Sequence, residues 1–359
     1  MTDSPGLPPE REQTQYRRSM TRSFAKPASI ADVAATAGVS VPTVSRVLTG
    51  AAKVSAERRQ RVLDAIEQLG YRPNSAARAL VSGKQTTIAV MTSDTTIYGY
   101  SSTIQGIELA ARAAGYFVII SLVDSDAPEE VERAVSLVLS QPLAGVVVLK
   151  FDPAGVQVVG ALPRDVPVVA VSGEVDGEFS QAVLDEVAGG EEITRFLLGL
   201  GHRTVHHVTV PPSREEDGRT IGWRAALTSA GASVPPIIAA TWDAVSGVAI
   251  GHSLAARDEV TAVFCGNDEI AMGVISGLAE AGRRVPEDIS VVGFDDHPLS
   301  RVWRPGLTTI SQDFVDLGRR AFSLLLLQIT GDEQPVLSSE NPALVVRASA
   351  APPASTLGT

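Results

Sequence analysis

From Ile30 onward apolar positions recur at helical spacing: Ile30, Val33, Ala34 and Ala37 share one face. Ser29 stands before them as a hydroxyl N-cap, and Asp32, three positions on, completes a capping-box pattern. Gly38-Val39-Ser40 breaks the face. Val44, Val47 and Leu48 then predict a second short helix capped by Ser40, with Pro42 in the first turn, where a missing N–H is tolerated. After Thr49-Gly50, Ser55 opens a third helix through Val62, Leu63, Ile66 and Leu69, closed by Gly70. Three short helices with a tight turn between the first two spell a helix-turn-helix unit. From Thr87 the pattern changes to β-branched runs (Ile88-Ala89-Val90, Phe117-Val118-Ile119-Ile120, Val146-Val147-Val148-Leu149, Val168-Val169-Ala170-Val171, Ala262-Val263-Phe264, Val291-Val292). Helical stretches lie between them near 102–114, 129–140, 187–200, 219–230, 267–281 and 315–330. Near-continuous apolar strands separated by helices imply parallel sheets covered on both faces, an α/β body.

At 359 residues the chain has room for two or three domains. Residues 1–28 carry four prolines, scattered charge and few apolar positions, and are expected to be a disordered tail, as is the Ala/Pro-rich 349–359. No uncharged apolar run approaches the ~18–20 residues of a membrane helix, and no apolar signal core opens the chain. One cysteine, Cys265, forms no internal disulfide and no multi-cysteine metal site. The expectation is a cytoplasmic protein without a membrane partner. Charge is unevenly distributed. Residues 1–88 hold 13 Lys and Arg against 7 Asp and Glu, whereas the remainder holds 17 against 34. A basic arm on an acidic body suits a polyanion at one end only.

In the second helix Val41, Pro42, Thr43, Ser45 and Arg46 point away from the predicted core. Small and polar residues near a helix start can approach base edges, and Arg46 can reach guanine or phosphate. These residues carry a resemblance. Ile30-Ala31-Asp32-Val33-Ala34 through Ala37-Gly38-Val39-Ser40, followed by Thr43-Val44-Ser45-Arg46-Val47-Leu48, resembles the DNA-binding signature of LacI/GalR-type repressors. Tyr71-Arg72-Pro73-Asn74-Ser75-Ala76-Ala77-Arg78-Ala79-Leu80 resembles that family's hinge, and the likeness runs through nearly all of the chain but the tails. The hinge segment, capped by Asn74, is too short to be a stable helix alone. The resemblance implies that paired hinges enter the minor groove, with Leu80 as the wedge and Ala77 allowing close helix approach.

For the body the resemblance implies two Rossmann-like subdomains of periplasmic-binding-protein type, crossed three times by the chain. One lobe covers about 87–184 and 312–340; the other covers about 185–311 and 341–348. Ligands of such sheets bind beyond the strands' carboxyl ends. Residues falling there are Ser93, with Ile97 and Tyr98 in the loop after it, then Ser172, Asn267 and Asp295. Arg219, Trp242 in a loop, and Gln312 and Phe314 on the last crossing complete the set. Asp, Asn, Arg and Gln bind vicinal hydroxyls, and an aromatic plate takes a sugar's C–H face. The positions resemble the family's inducer pocket, except that Ser172 stands where LacI-type members place an aspartate. Asn267 and Asp295 also suit helix caps, and Trp242 also suits a core plug.

No metal or cofactor is implied: His202, His206 and His207 have no second ligand pair, and Leu198-Gly199-Leu200-Gly201-His202 is a helix end. An enzyme of glycosidase type would need opposed carboxylates, which the adjacent Asp295 and Asp296 do not supply. A transporter's solute-binding protein conflicts with the DNA-reading head. The reading that remains is a homodimeric repressor, released from a pseudo-palindromic double-stranded operator by a sugar; a purine-like corepressor that strengthens DNA binding is the alternative.

Overall fold

The computed structural model describes residues 28–48, 54–71, 85–175, 179–213, 215–331 and 336–354. They form two compact units, divided between Lys84 and Gln85. The hinge positions Asn74, Ala77 and Leu80 lie outside the described residues, as do residues 1–27.

In the first unit α1 (Ile30–Ala37), α2 (Val41–Leu48) and α3 (Ala56–Leu69) close over a small core. Val33, Val44 and Val62 are fully buried at its centre, and Tyr71 packs against its edge. The Ser29 hydroxyl accepts the Asp32 N–H while the Asp32 carboxylate accepts the Ser29 N–H at 2.8 Å, a complete capping box. Gly38 ends α1 at φ +61°, a left-handed conformation that glycine adopts without strain, and so makes the tight turn. Ser40 departs from the expected cap: its hydroxyl pairs with that of Thr43 at 2.9 Å, and its carbonyl accepts the Thr43 and Val44 N–H groups.

The second unit holds two parallel sheets. The first runs β11-β5-β4-β3-β1-β2, from β1 (Thr87–Thr92), β2 (Phe117–Leu122), β3 (Gly145–Leu149), β4 (Val168–Ser172), β5 (Ser180–Leu184) and β11 (Leu337–Glu340). Alternation explains why β1 is apolar from Ile88 to Met91. Ile88 and Val90 join the core under α4 (Tyr98–Ala113) and α11 (Phe314–Thr330). Ala89 and Met91 join the opposite core under α5 (Pro128–Leu139) and α6 (Pro153–Ala161).

The second sheet runs β7-β6-β8-β9, from β6 (His206–Thr209), β7 (Ile238–Ala239), β8 (Ala262–Cys265) and β9 (Ser290–Val292). One face meets α7 (Glu186–Gly199) and α8 (Gly218–Ser229); the other meets α9 (Ala244–Ala255) and α10 (Asp268–Glu280). β10 (Thr309–Ser311) pairs antiparallel with β12 (Ala343–Val345) and bridges to the second sheet through Val292–Thr308 and Asp295–Ser311. Among the described residues the strand order takes the chain from one sheet's side to the other's three times, at 184–186, 311–314 and 340–343.

Two helices, α6 and α9, have no counterpart in the periodicity reading. α6 is short and both are interrupted by glycine, and in α9 the glycines serve packing. α9 and α10 interlock through Gly247 and Gly273, where a Cβ on Gly273 would lie 2.0 Å from the Ala244 carbonyl oxygen. The expected tail is corrected over 349–354. Ser349 is fully buried, its hydroxyl donating to Val291 O at 2.5 Å and accepting the Thr308 N–H. The Ala351 carbonyl accepts from the Ser290 hydroxyl at 2.9 Å and meets His202 Nε2 at 3.0 Å. Hydrogen bonds to β9, one between backbones and the others through serine hydroxyls, override a composition that reads as tail.

Candidate functional site

In the first unit the apolar side of α2 is spent on the core, leaving Val41, Pro42 and Arg46 exposed and Thr43 and Ser45 half-buried. The exposed face starts at the helix N-terminus, directly after the Gly38 turn, the arrangement in which a second helix presents small side chains to base edges.

In the second unit the carboxyl ends of both sheets meet in a cleft. Its deep end is built around Arg219, buried on α8. The guanidinium donates to Glu186 at 2.7 Å and to the Gly266 carbonyl, and lies 3.4 Å from Asp295. It also sits over the Phe294 ring, 4.5 Å from the centroid. Burial works against its charge, but Glu186 and then Asp295 outweigh that and raise its pKa further. Asp295 receives the Gln312 amide at 2.9 Å. Burial pushes its carboxyl up to about 7, with Arg219 opposing and Glu269 reinforcing the rise. Its backbone is left-handed, φ 106°, and Asp296 follows at φ 52°. Non-glycine residues held there are strained and cluster at ligand sites. Arg219 Nε and Gln312 Oε1 are buried without a hydrogen-bond partner, one donor and one acceptor in the same cluster.

The other lobe supplies Asp152, the N-cap of α6, which accepts the Gly155 N–H at 2.9 Å and the hydroxyls of Tyr100 and Ser93. Tyr100 on α4 faces Trp242 across the cleft, ring centroids 6.5 Å apart and nearly perpendicular. Tyr98 makes a second contact between lobes, edge-on to His297 at 4.8 Å.

Of the ten expected ligand positions, Ile97, Ser172, Arg219, Trp242, Asp295 and Phe314 line the deep chamber. Ser93 lines a larger outer chamber, shared with Ile97 and Trp242. Three line neither. Tyr98 opens α4 rather than sitting in a loop and packs on Phe314. Asn267 caps α10 by accepting the Ile270 N–H at 2.8 Å. Gln312 stands behind Asp295. Asp295, by contrast, is not a cap, and Trp242 is half-exposed at the cleft while its buried side packs against the core of the second sheet. Trp223 is the packing tryptophan, fully buried with its indole N–H on the Val205 carbonyl at 2.9 Å.

Sequence reasoning missed Tyr100, Lys150, Phe151, Glu186 and Asp217 in the deep chamber and Asp94, Asp124, Asp126 and Asp152 in the outer one. The strand-end rule applied to β3 and β5 would have reached Lys150-Phe151-Asp152 and Glu186. The histidines bond to protein groups or lie in the core. His207 Nδ1 lies 3.0 Å from the Phe264 carbonyl, and burial pushes its pKa down to about 4. Among the described residues no group of His, Cys, Asp or Glu is arranged to hold a metal, and no helix is long and apolar enough to cross a membrane.

A DNA-reading head joined to a bilobed, cleft-bearing body defines a ligand-responsive regulator. Residues 29–74 match the family description "Bacterial regulatory proteins, lacI family", and residues 194–350 match "Periplasmic binding protein-like domain". The HTH-type transcriptional repressor PurR of Klebsiella pneumoniae (strain 342) is 34% identical, over 90% of this chain and 97% of that one. A crystal structure of the lac repressor dimer bound to operator and the anti-inducer ONPF superposes with a TM-score of 0.83 at 31% identity, covering 91% of this chain and 100% of the other. A CelR–cellobiose complex, a transcriptional regulator, superposes at 0.65 and 30% identity, covering 90% and 99%. The chain belongs to the LacI family and is a DNA-binding transcriptional regulator.

Proposed function

We propose that this regulator is a homodimeric repressor that holds a pseudo-palindromic operator until a sugar enters the cleft. Val41, Pro42, Thr43, Ser45 and Arg46 read the major groove, and the segment with Asn74, Ala77 and Leu80 engages the minor groove between the two heads. Ser93, Ile97, Ser172, Arg219, Trp242, Asp295 and Phe314 contact the effector, with Tyr98, Asn267 and Gln312 holding the walls. The observation that carries the reading is the buried Arg219–Glu186–Asp295 cluster beside Trp242. Donors and acceptors side by side suit the paired hydroxyls of a sugar ring, and the indole suits its C–H face. The cellobiose bound to one structural relative supports the same ligand class.

Effector binding shifts one lobe against the other, hinge pairing weakens, and operator affinity falls; the coupling is a free energy shared by two sites. Titrating neutral sugars and purine bases into operator-bound protein tests the proposal. Release by a sugar supports induction; tightening by a base replaces it with corepression.

A further inference from the structure

Two aspartates stand side by side in the turn after β9, and only the first lines the ligand chamber. Both carry positive φ, 106° at Asp295 and 52° at Asp296. An L-residue prefers to leave that region by a factor on the order of tenfold. At 106° the backbone also lies beyond the narrow left-handed range that aspartate tolerates. A turn built from two such residues keeps its shape only where its surroundings hold it.

The holds can be traced. The Asp295 N–H donates to the Ile310 carbonyl at 2.7 Å, and its carboxylate takes the Gln312 amide at 2.9 Å. Just past the turn, the fully buried Asp268 carboxylate accepts the His297 N–H and the Ser300 hydroxyl, each at 2.7 Å. It also accepts the Thr309 hydroxyl at 2.6 Å. Asp296 lies between these anchors. Its N–H makes a long bond to the Thr309 hydroxyl, 3.4 Å, whereas its carboxylate accepts from Arg347 Nη2 at 2.5 Å. The same guanidinium donates through Nη1 to the Leu307 carbonyl at 2.7 Å, and the Arg347 N–H donates to the Thr308 hydroxyl at 2.9 Å. Arg347 is thus fixed from two sides and joins the turn to the segment that leads into β10. Both side chains of the pair are only 18% exposed, which shields their attraction from water.

Resting on the placement of Asp295 in the effector site, we infer that Arg347 and Asp296 are positioning residues for that site. Their ion pair holds the strained turn and so keeps the Asp295 carboxyl against Arg219 and Gln312. The second aspartate locks the first in place.

The test reads the position of Asp295 through its titration and needs no effector. The difference in stability between a protein and its Asp295→Asn form changes with pH up to the folded pKa of Asp295, about 7, and is level above it. Burial, then Arg219, Glu269, Gln312 and Glu186, set that value. Arg347 is not among these causes, so a change on its removal reports movement rather than a lost charge. Urea unfolding across pH of Arg347→Met, with and without Asp295→Asn, should put the levelling point about one pH unit or more lower, as the freed carboxyl meets water. Asp296→Ala cuts the same tie from the other end; it should do the same, and it carries the test if Arg347→Met does not fold. Asp296→Asn keeps an oxygen for Arg347 and tolerates positive φ, and should leave the levelling point within about half a unit of the parent's. A levelling point still near pH 7 in Arg347→Met or Asp296→Ala, or an Asp296→Asn shifted as far as Asp296→Ala, overturns the inference. None of these outcomes involves a sugar, so failure here stands apart from failure of the sugar reading.

Discussion

Asp295→Asn isolates the electrostatics of the deep cluster. The substitution keeps the shape and an oxygen for the Gln312 amide, removes one buried carboxyl, and leaves Arg219 paired with Glu186 at 2.7 Å. In the folded chain the Asp295 pKa is raised to about 7 from an ordinary 3.8, burial being the largest cause. Between those values the folded chain holds a proton that the unfolded chain has lost. Stability from this group is thus full below pH 3.8 and declines by about 1.4 kcal/mol per pH unit up to pH 7. Between pH 5 and pH 7, where the folded carboxyl is half-titrated, the decline comes to about 2 kcal/mol, and the variant, whose amide does not titrate, is spared it. Most of the difference between the two proteins therefore comes from this carboxyl, with a smaller part from Asp268, whose pKa Asp295 raises. Urea unfolding followed by tryptophan emission reads the second unit alone, because Trp223, Trp242 and Trp303 all lie there. The variant should gain on the parent steadily from pH 5 to pH 7 and level off above. A difference that does not change with pH would refute the reasoning.

Replacing Trp242 by Phe should abolish any change of tryptophan emission on effector binding, since Trp223 is sealed in the core and Trp303 lines neither chamber; a retained change would move the ligand elsewhere. Gly273→Ala forces a Cβ against the Ala244 carbonyl and should cost about 1–3 kcal/mol by thermal unfolding, whereas Gly199→Ala, with nothing within 4 Å, should be neutral or stabilising. Arg46→Ala should weaken binding to an inverted-repeat DNA by about 1–3 kcal/mol while leaving sugar affinity unchanged; equal DNA binding in a gel-shift assay would remove Arg46 from the reading face.

The head and the strands were readable because their signals are local. A capping box, a glycine turn and apolar residues at helical spacing need no tertiary context, and β1, β3 and β4 announce double-sided burial through unbroken apolar runs. What was not readable depends on partners distant in sequence. α9 carries glycines that look like breaks until α10 is laid against them. Ser349 looks like tail until β9 supplies its bonds. The strand-end rule reached Ser93, Ser172 and Asp295, yet it says nothing of Asp295's left-handed backbone or of its pairing with a residue on α8. Asp124 and Asp126 gave no signal at all, because a solvated acidic loop and one that borders a cleft have the same composition.

Coupling between cleft and operator is tested most directly by fluorescence anisotropy of labelled inverted-repeat DNA, selected from a random pool by the ligand-free chain. At fixed protein, the account predicts tight, salt-dependent binding that is lost as one neutral sugar is titrated in, and that persists for Asp295→Asn at the same concentrations. Binding indifferent to every sugar, or strengthened by one, would contradict it.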